Sequence, residues 1–390
     1  PLHISTNNAV VTRASVGEVY DQVVRDLQKA SGLMGASRGN TGYPSKTTAL
    51  GILSRVYLYM ENWQECVNTV NTMLGGANAA SKLDADLANL FINAKTSSEV
   101  LFCLAHETIG DDMGQSSIGS MYLHSDEEAI GWGEIYPSNP LLYLYERYSM
   151  DTRYTAFIHP QYPGLDTYTI YFPDPETEND DSGRLHLTAN GTFDADENFV
   201  FTYDGATYKA EKRLINGEYY EYHVNYKGVD CLARVHKTMK NRNTSPIYYM
   251  SKFSFQDGKA MISSPIICRW GEVILNRAEA YAHMGGKDAE ALADVNVLRT
   301  RAGIPADGLF AAGKMHGYKT ALDVVLDERR LELAFEGFRT HDLTRNKLDI
   351  DRRFPGAHPW QVVPYNHDHL IYPIPNNEWT VSGIQQNPGY

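Results

Sequence analysis

The chain has 390 residues, of which 43% are hydrophobic, so it can bury a sizeable core in one large domain or two. Its formal net charge of −13 argues against nucleic acid and against an anionic membrane surface as partners. The sequence contains no run of about 18 apolar residues, so it predicts no membrane-spanning helix.

The first predicted helix begins at Ser15, which can form a capping box with Glu18. An apolar stripe follows on one face of this helix, and we expect the helix to end near Gly32 and Gly35. The four cysteines are widely spaced and form no CxxC pair. This spacing favours buried free thiols over a disulfide framework.

Two segments share the spacing of a helical hairpin, and Tyr57 and Tyr281 occupy the same position in each. A small residue stands three positions before each tyrosine, and Cys66 and Ala291 are the small residues of the second helices. Gly285-Gly286 provides the corner in the later copy. The pattern is typical of tetratricopeptide hairpins, which stack to share a core.

The region between these hairpins differs in composition, because it contains 17 of the 26 tyrosines, all between Tyr122 and Tyr249. Residues 141–148 predict a short helix. Alternating patterns then predict strands, with hairpin corners at Asn190-Gly191 and Asn216-Gly217. Loops and strands held by a rigid helical scaffold are a common place for function.

Residues 324–339 predict one longer helix that has an apolar and a charged stripe. The apolar positions are Val324, Leu331, Phe335 and Phe338, and the charged positions are Arg329, Glu332, Glu336 and Arg339. Glu332 and Glu336 could be read as the paired carboxylates of a glycosidase. Because arginines share their face, an interlocked set of ion pairs is the better interpretation.

Motifs for catalysis are absent from the sequence, which has no GxGxxG, P-loop, HExxH or GxSxG. His367-Asp368-His369 could bind a metal, but alternating residues of this kind are more often solvated. Residues 174–181 are acidic and could gather Ca²⁺, yet they lack the spacing and the glycine of an EF-hand loop. We therefore predict no catalytic residue, no metal site and no cofactor.

Three motifs carry a resemblance to a known family. RWGEVILNRAEA is followed by NVLRTRAG, the segment 328–345 reads ERRLELAFEGFRTHDLTR, and the chain ends in YPIPNNEWTVSGIQQNPGY. Together they resemble the SusD/RagB family of outer-membrane nutrient-binding lipoproteins. The resemblance covers about two-thirds of the chain and is most specific at its C-terminal end.

The resemblance implies a mainly α fold, in which a tetratricopeptide-like scaffold carries a long insertion rich in loops and short strands. It implies a cell-surface lipoprotein that binds oligosaccharides without catalysis and delivers them to a TonB-dependent SusC-like transporter. Family members have further helices, a signal peptide and a lipidated cysteine upstream. We therefore expect this chain to be incomplete at its N-terminus, and any membrane contact to be made through that missing anchor. The motif residues are expected to lock the last helices together; they are Arg329, Glu332, Glu336, Arg339, Asp342 and Arg345.

Four regions are expected from these observations. They are the middle scaffold helices (1–75), the tyrosine-rich ligand-binding excursion (76–265), the C-terminal hairpin with the motif helix (266–345) and an extended tail (346–390).

The predicted ligand-binding residues lie in the excursion. Trp132 is flanked by glycines, so packing explains its large ring poorly. Tyr122, Tyr136 and Asn139 are near it in sequence, and Asn225 and Tyr226 come from a predicted hairpin that would face the same end. Aromatic faces with amides nearby suit sugar rings, although any single tyrosine could simply pack the sheet.

Two alternatives stay open. The first is a peptide-binding member of the same family. The second is a glycoside hydrolase that uses carboxylates of the insertion such as Asp126, Glu127 or Asp230.

Overall fold

The structure is a computed structural model, and it describes residues 13–36, 39–112, 116–124, 131–160, 164–177, 186–215, 219–239, 248–352 and 362–390. The helices are α1 (Val16–Leu33), α2 (Lys46–Tyr59), α3 (Trp63–Leu74), α4 (Leu87–Ile92), α5 (Ile118–Tyr122), α6 (Asn139–Glu146), α7 (Thr152–Phe157), α8 (Trp270–His283), α9 (Asp288–Arg301), α10 (Ala321–Glu332), α11 (Arg339–Arg345) and α12 (Asn376–Ser382). The strands are β1 (Val100–Cys103), β2 (Ile158–Pro160), β3 (Gly164–Pro173), β4 (His186–Phe193), β5 (Phe199–Tyr203), β6 (Ala206–Ile215), β7 (Tyr219–Tyr226), β8 (Val229–Met239), β9 (Tyr248–Met250), β10 (Ile266–Arg269), β11 (Ile350–Asp351) and β12 (Val362–Val363).

Two helical hairpins form the centre of the scaffold. One consists of α2 and α3 and the other of α8 and α9, and both α2 and α3 pack against α8. Cys66 and Ala291, the predicted small positions, are fully buried. At the crossing, Asn276 Nδ2 donates a hydrogen bond to Ser54 Oγ at 3.2 Å. The two helical hairpins are confirmed, and their relation to tetratricopeptide repeats stays a prediction.

The first helix begins as the sequence predicts. The backbone N–H of Glu18 donates to Ser15 Oγ at 3.2 Å, and the backbone N–H of Ser15 donates to Glu18 Oε2 at 2.8 Å. α1 packs against α2. Ahead of the helix, the Arg13 guanidinium donates to the carbonyl oxygen of Gln385 and to Asn387 Oδ1, so the start of the described chain contacts its C-terminal segment.

The prediction of one helix over 324–339 is wrong. α10 ends at Glu332 and α11 starts at Arg339, and the chain turns between them. Phe335 has φ +66° and Gly337 has φ +84°, a left-handed conformation in which an α-helix cannot continue. We call residues 333–338 the kink.

Two distant cations stabilise the kink. Lys252 Nζ donates to the carbonyl oxygens of Glu332 at 3.2 Å and Ala334 at 3.0 Å. Arg269 also donates to the Glu332 carbonyl oxygen, at 2.9 Å. These bonds satisfy carbonyls that the end of α10 leaves without helical partners, so the helix can stop inside the protein.

The strands β3 to β8 form a closed barrel in chain order, and pairing of β3 with β8 closes it. The expectation of short strands is therefore corrected here, because β8 has 11 residues and β3 and β6 have 10 each. Aromatic rings and small aliphatic side chains together fill the interior of the barrel. The buried core consists of Ile170, Phe172, Phe199, Phe201, Ala210, Val224, Tyr226, Cys231 and Ala233.

One of the two predicted hairpin corners of this region is misplaced. Asn190 and Gly191 lie within β4, where Gly191 pairs with Tyr168 on one side and Phe201 on the other. The turn after β4 is instead closed by Asp194, whose carboxylate accepts from the backbone N–H of Asn198 at 2.9 Å. Asn216-Gly217 lies outside the described residues.

The barrel contacts the scaffold through two arginines. Arg234 of β8 is buried and forms an ion pair with Glu146 of α6. Arg147, just after α6, donates to the hydroxyl of Tyr318 at 2.9 Å, and its guanidinium lies 4.8 Å from the ring centre of Tyr219.

All four cysteines are described and buried, and none of them forms a disulfide, as predicted. Among the described residues, no helix has both the length and the apolar content needed to cross a membrane.

Candidate ligand-binding cleft

The loop that contains Trp132 is fixed by backbone hydrogen bonds to the end of α5. The Trp132 N–H donates to the Ser120 carbonyl at 2.7 Å, and the Gly133 N–H donates to the Leu123 carbonyl at 3.0 Å. Gly131 has φ +74°, and a Cβ there would lie 2.1 Å from the Leu123 carbonyl oxygen. Only glycine permits this close approach, which sets the direction in which the chain enters Trp132.

Trp132 and Tyr136 both present much of their rings to solvent. Trp132 is 52% exposed and Tyr136 is 41% exposed. Large aromatic rings at this exposure on a loop that is hydrogen-bonded to the scaffold are available for contact with a ligand.

Tyr122, the last residue of α5, joins this loop to the kink. Its ring centre lies 5.2 Å from that of Phe335 in an edge-to-face arrangement and 5.4 Å from that of Phe253. Burial raises the pKa of the Tyr122 hydroxyl, so it stays protonated and can donate a hydrogen bond near neutral pH.

Tyr122, Phe335 and Gly337 line two adjoining clefts. The first has a volume of about 360 Å³, and we call it the arginine cleft. Its other lining residues are Tyr136, Ser138, Leu141, Arg329, Arg330, Leu333, Ala334, Phe338, Arg339 and Thr340. The second, the serine cleft, has a volume of about 380 Å³ and is also lined by Phe91, Ser116, Ser117, Ile118, Met121, Ile135, Phe253, Pro265, Ile266 and Glu336.

A buried ion network lies beneath both clefts and fixes the kink. Arg269 donates to Glu332 at 2.7 Å and to Glu336 at 2.8 Å, and Lys252 donates to Glu336 at 2.6 Å. Arg301 also pairs with Glu332. Since buried charges are tolerated only when they are paired and hydrogen-bonded, the network makes the position of the kink specific.

The pKa values in the network follow from this pairing. Burial opposes ionisation of Glu332, but the charges of Arg301, Arg269 and Arg153 hold its pKa far below the usual range. Burial lowers the pKa of Lys252, and the neighbouring Glu336 counteracts this. Glu332 is 1% exposed. The two carboxylates are therefore structural, and a glycosidase role for them is excluded because no substrate can reach Glu332.

The motif residues lock the last helices together, as expected, but they do so mainly across elements rather than along one helix. Arg329 donates to Asp342 at 2.9 Å and pairs with Glu279 at 3.2 Å, and Arg345 donates to Glu279 at 2.8 Å. Arg339 differs, because its guanidinium donates to the neutral carbonyl of Leu326.

Of the predicted residues, Tyr122 and Tyr136 line the arginine cleft, and Trp132 lines neither cleft although its loop does. The other three do not line the arginine cleft. Asn139 is buried at the first position of α6. Asn225 is an exposed residue of β7, and its side-chain oxygen accepts from the Gly228 N–H at 3.2 Å in the turn that follows. Tyr226 is 5% exposed and lies 5.3 Å from Phe172 in the barrel core. The expectation that Tyr226 faces the same end as Trp132 is therefore corrected: it is a core residue of the barrel.

The other candidates are the carboxylates of Asp230, Asp126 and Glu127 and the possible metal ligands His367 and His369. A hydrogen bond from Arg213 lowers the pKa of Asp230, which does not suit a general acid. Asp126 and Glu127 lie outside the described residues. His369 donates its backbone N–H to His367 Nδ1, and no group of three or more potential metal ligands occurs among the described residues.

Sequence reasoning missed Phe335, Arg330 and Arg339 as cleft residues, because it placed them on one continuous helix. The signal that could have found them is Gly337, since a glycine within a helical pattern lowers confidence in the helix and can mark its end.

Comparison with known proteins identifies the family. The sequence profile of the SusD family matches residues 98–390. A curated relative, SusD-like protein P2 of Formosa agariphila, is 25% identical over 400 residues; the match covers 97% of this chain and 66% of the relative. The chain therefore spans slightly less than two-thirds of the length of this relative.

Solved structures share the fold. A SusD superfamily protein from Bacteroides thetaiotaomicron has a TM-score of 0.67 at 21% identity, covering 100% of this chain and 70% of that one. A laminarin-binding SusD-like protein has a TM-score of 0.56 at 21% identity, covering 97% of this chain and 70% of that one. The profile match extends over most of the chain, and the protein belongs to the SusD family.

Proposed function

We propose that the protein binds oligosaccharides at the surface formed by Trp132, Tyr136 and the two clefts. The observation that carries this proposal is the exposure of these two rings beside clefts that share Tyr122 as a wall. Aromatic faces cover the C–H side of a pyranose, and hydroxyls such as those of Ser116 and Ser138, which line the clefts, suit its polar edge.

The family supports the same class of ligand, because one structural relative is described as laminarin-binding. We further propose that binding needs no metal and that the protein does not transform its ligand. The full protein is proposed to act at the cell surface as an outer-membrane lipoprotein that passes oligosaccharide to a TonB-dependent SusC-like transporter. Association with that transporter can be tested by co-purification from detergent-solubilised outer membranes.

Isothermal titration against a panel of oligosaccharides, with chromatography of the same samples, tests the binding proposal. We expect heat with at least one glycan, no shortened products and the same affinity in the presence of a chelator. Shortened products that accumulate at enzyme-like rates would contradict a binding role. Heat with mixed peptides and with no glycan would move the ligand class to peptides.

A further inference from the structure

The arginine cleft contains two cations that differ from the other arginines of the scaffold. Arg329 is 1% exposed and bonds to Asp342 and Asn276. Arg330, the next residue on α10, points away from that network and lines the cleft. Among the described residues, Arg330 has neither a hydrogen bond nor an ion pair, and Arg339 has only the neutral carbonyl of Leu326.

One carboxylate influences both guanidinium groups without pairing with either. The charge of Asp327 acts on Arg330 and on Arg339. However, Asp327 accepts a hydrogen bond from the Tyr318 hydroxyl at 2.8 Å, and within the described chain it forms no ion pair with these arginines. Arg330 and Arg339 therefore bring two positive charges to the cleft, and no carboxylate of the described residues bonds to either.

This arrangement is energetically unfavourable in the absence of an anion. Both side chains are half-buried. Burial, and then the charge of Arg339, lower the pKa of Arg330 to about 10, while burial also lowers that of Arg339. Partly dehydrated like charges repel each other, so an anion that entered the cleft would relieve both effects.

The side chains that line the arginine cleft indicate which class of ligand would bring the anion. The planar guanidinium group binds carboxylate and sulfate oxygens through parallel hydrogen bonds. Tyr122 and Tyr136 line the same cleft and supply ring surface, and Ser138 and Thr340 supply hydroxyls. The 390-residue chain has a formal net charge of −13, so two cations in one cleft contrast with its overall charge.

We propose that the arginine cleft selects oligosaccharides that carry an oxyanion, with Arg330 and Arg339 binding the anionic group while Tyr122 and Tyr136 contact the sugar ring. The oxyanion is a uronate carboxylate or a sulfate ester. This inference rests on the proposed oligosaccharide binding and adds the charge class of the ligand.

Matched ligand pairs provide the test. Tetragalacturonate is compared with its carboxyl-reduced form, and a sulfated carrageenan tetrasaccharide is compared with its desulfated form, by isothermal titration at low and high salt. We expect at least one anionic member to bind about tenfold or more tightly than its neutral counterpart, because hydrogen bonds to charged groups are the stronger ones. The preference should weaken at high salt. A preference within the galacturonate pair identifies the anion as a carboxylate, and a preference within the carrageenan pair identifies it as a sulfate.

Variants of the wild-type chain assign the preference to the cleft. Arg330→Gln should lower affinity for the anionic ligand about tenfold and leave affinity for its neutral counterpart unchanged. Arg330→Lys should retain part of the preference, since it keeps the charge but not the planar fork. Arg25→Gln, on the exposed surface of α1, is the control and should change nothing. Thermal melts confirm that each variant is folded.

The outcomes separate this inference from the proposed function. Equal binding of neutral and anionic members, or full retention of anionic affinity in Arg330→Gln, overturns the charge preference and leaves oligosaccharide binding intact. Binding of acidic peptides with no glycan binding overturns both.

Discussion

The tyrosine-rich region divides into two parts that use aromatic residues for opposite purposes. In the barrel, Tyr226 packs edge-to-face against Phe172, and Phe201 stacks on Tyr208 with ring centres 5.6 Å apart. In the loop before α6, Trp132 and Tyr136 are open to solvent. The excess of tyrosine therefore has two physical causes: a small closed barrel needs large rings to fill it, and the cleft exposes rings that a ligand can contact.

Loss of a network charge beneath the clefts should have the largest effect. Glu336→Ala removes the carboxylate that Lys252 and Arg269 share. We expect this to cost about 3–5 kcal/mol of unfolding free energy, because it leaves buried charge uncompensated. Denaturant unfolding measures the change.

The matched control is Glu290→Ala on α9, which breaks an exposed pair with Lys287 and should leave stability nearly unchanged. Wild-type stability in Glu336→Ala would show that the kink does not depend on this network.

Loss of a buried ring from the barrel core should have the next largest effect on stability. Tyr226→Ala removes a buried ring and should lower the free energy of unfolding by about 3–5 kcal/mol, as for other large-to-small aromatic substitutions. Affinity for oligosaccharide should stay the same, since Tyr226 lines neither cleft. Tyr226→Phe keeps the ring and should retain most of the stability. A loss of affinity with an unchanged melting temperature would instead place Tyr226 in the binding site.

A substitution in the exposed loop should have the opposite effect to Tyr226→Ala, because it should lower affinity and leave stability unchanged. Trp132→Ala should reduce oligosaccharide affinity by about 2 kcal/mol if the ring is a central contact, in the range of interface hot spots. Its melting temperature should remain that of the wild type, because half of the ring is already in water. Tyr372→Ala is a matched control in the C-terminal tail, where the tyrosine is 88% exposed and lies outside the proposed binding surface.

Acid should weaken the scaffold. Burial on its own raises the pKa values of Glu336 and Asp342, but neighbouring cations lower both of them. Arg269 and Lys252 lower the pKa of Glu336, and Arg329 lowers that of Asp342. The pKa values of both carboxyl groups are therefore lower in the folded chain than in the unfolded chain. For Glu336, the stability that this difference contributes is fully present above the ordinary pKa of 4.5 and is lost as the pH falls below that value. Melting temperatures measured from neutral to acidic pH should be level and then decrease. A melting temperature that rises on acidification would contradict the sign of these shifts.

The smallest effect is expected at Asn225, which is exposed near the end of β7. Asn225→Ala removes one side-chain bond to the Gly228 N–H. We expect at most about 1 kcal/mol of lost stability and no loss of oligosaccharide affinity. A large loss of affinity in this variant would extend the site onto the barrel.

Structural features that depend on residues close together in the sequence could be predicted from the sequence. The capping box of Ser15 and Glu18 and the two helical hairpins were predicted in this way. Closure of the barrel was not predicted, because it depends on pairing between β3 and β8, which are far apart in the chain.

The candidate site was less predictable than the fold. Trp132 was found from its flanking glycines, a local signal. The cleft wall was missed because the kink depends on Lys252 and Arg269, which are distant in sequence from the carbonyls that they satisfy.

The central claim is that ligand binds at the loop and clefts and not on the barrel. Hydrogen–deuterium exchange of the wild-type protein, with and without a bound oligosaccharide, tests it most directly. We predict slower exchange in peptides that cover residues 116–141 and 333–340, and no change over 164–239. Protection confined to 164–239 would contradict the account and assign binding to the barrel.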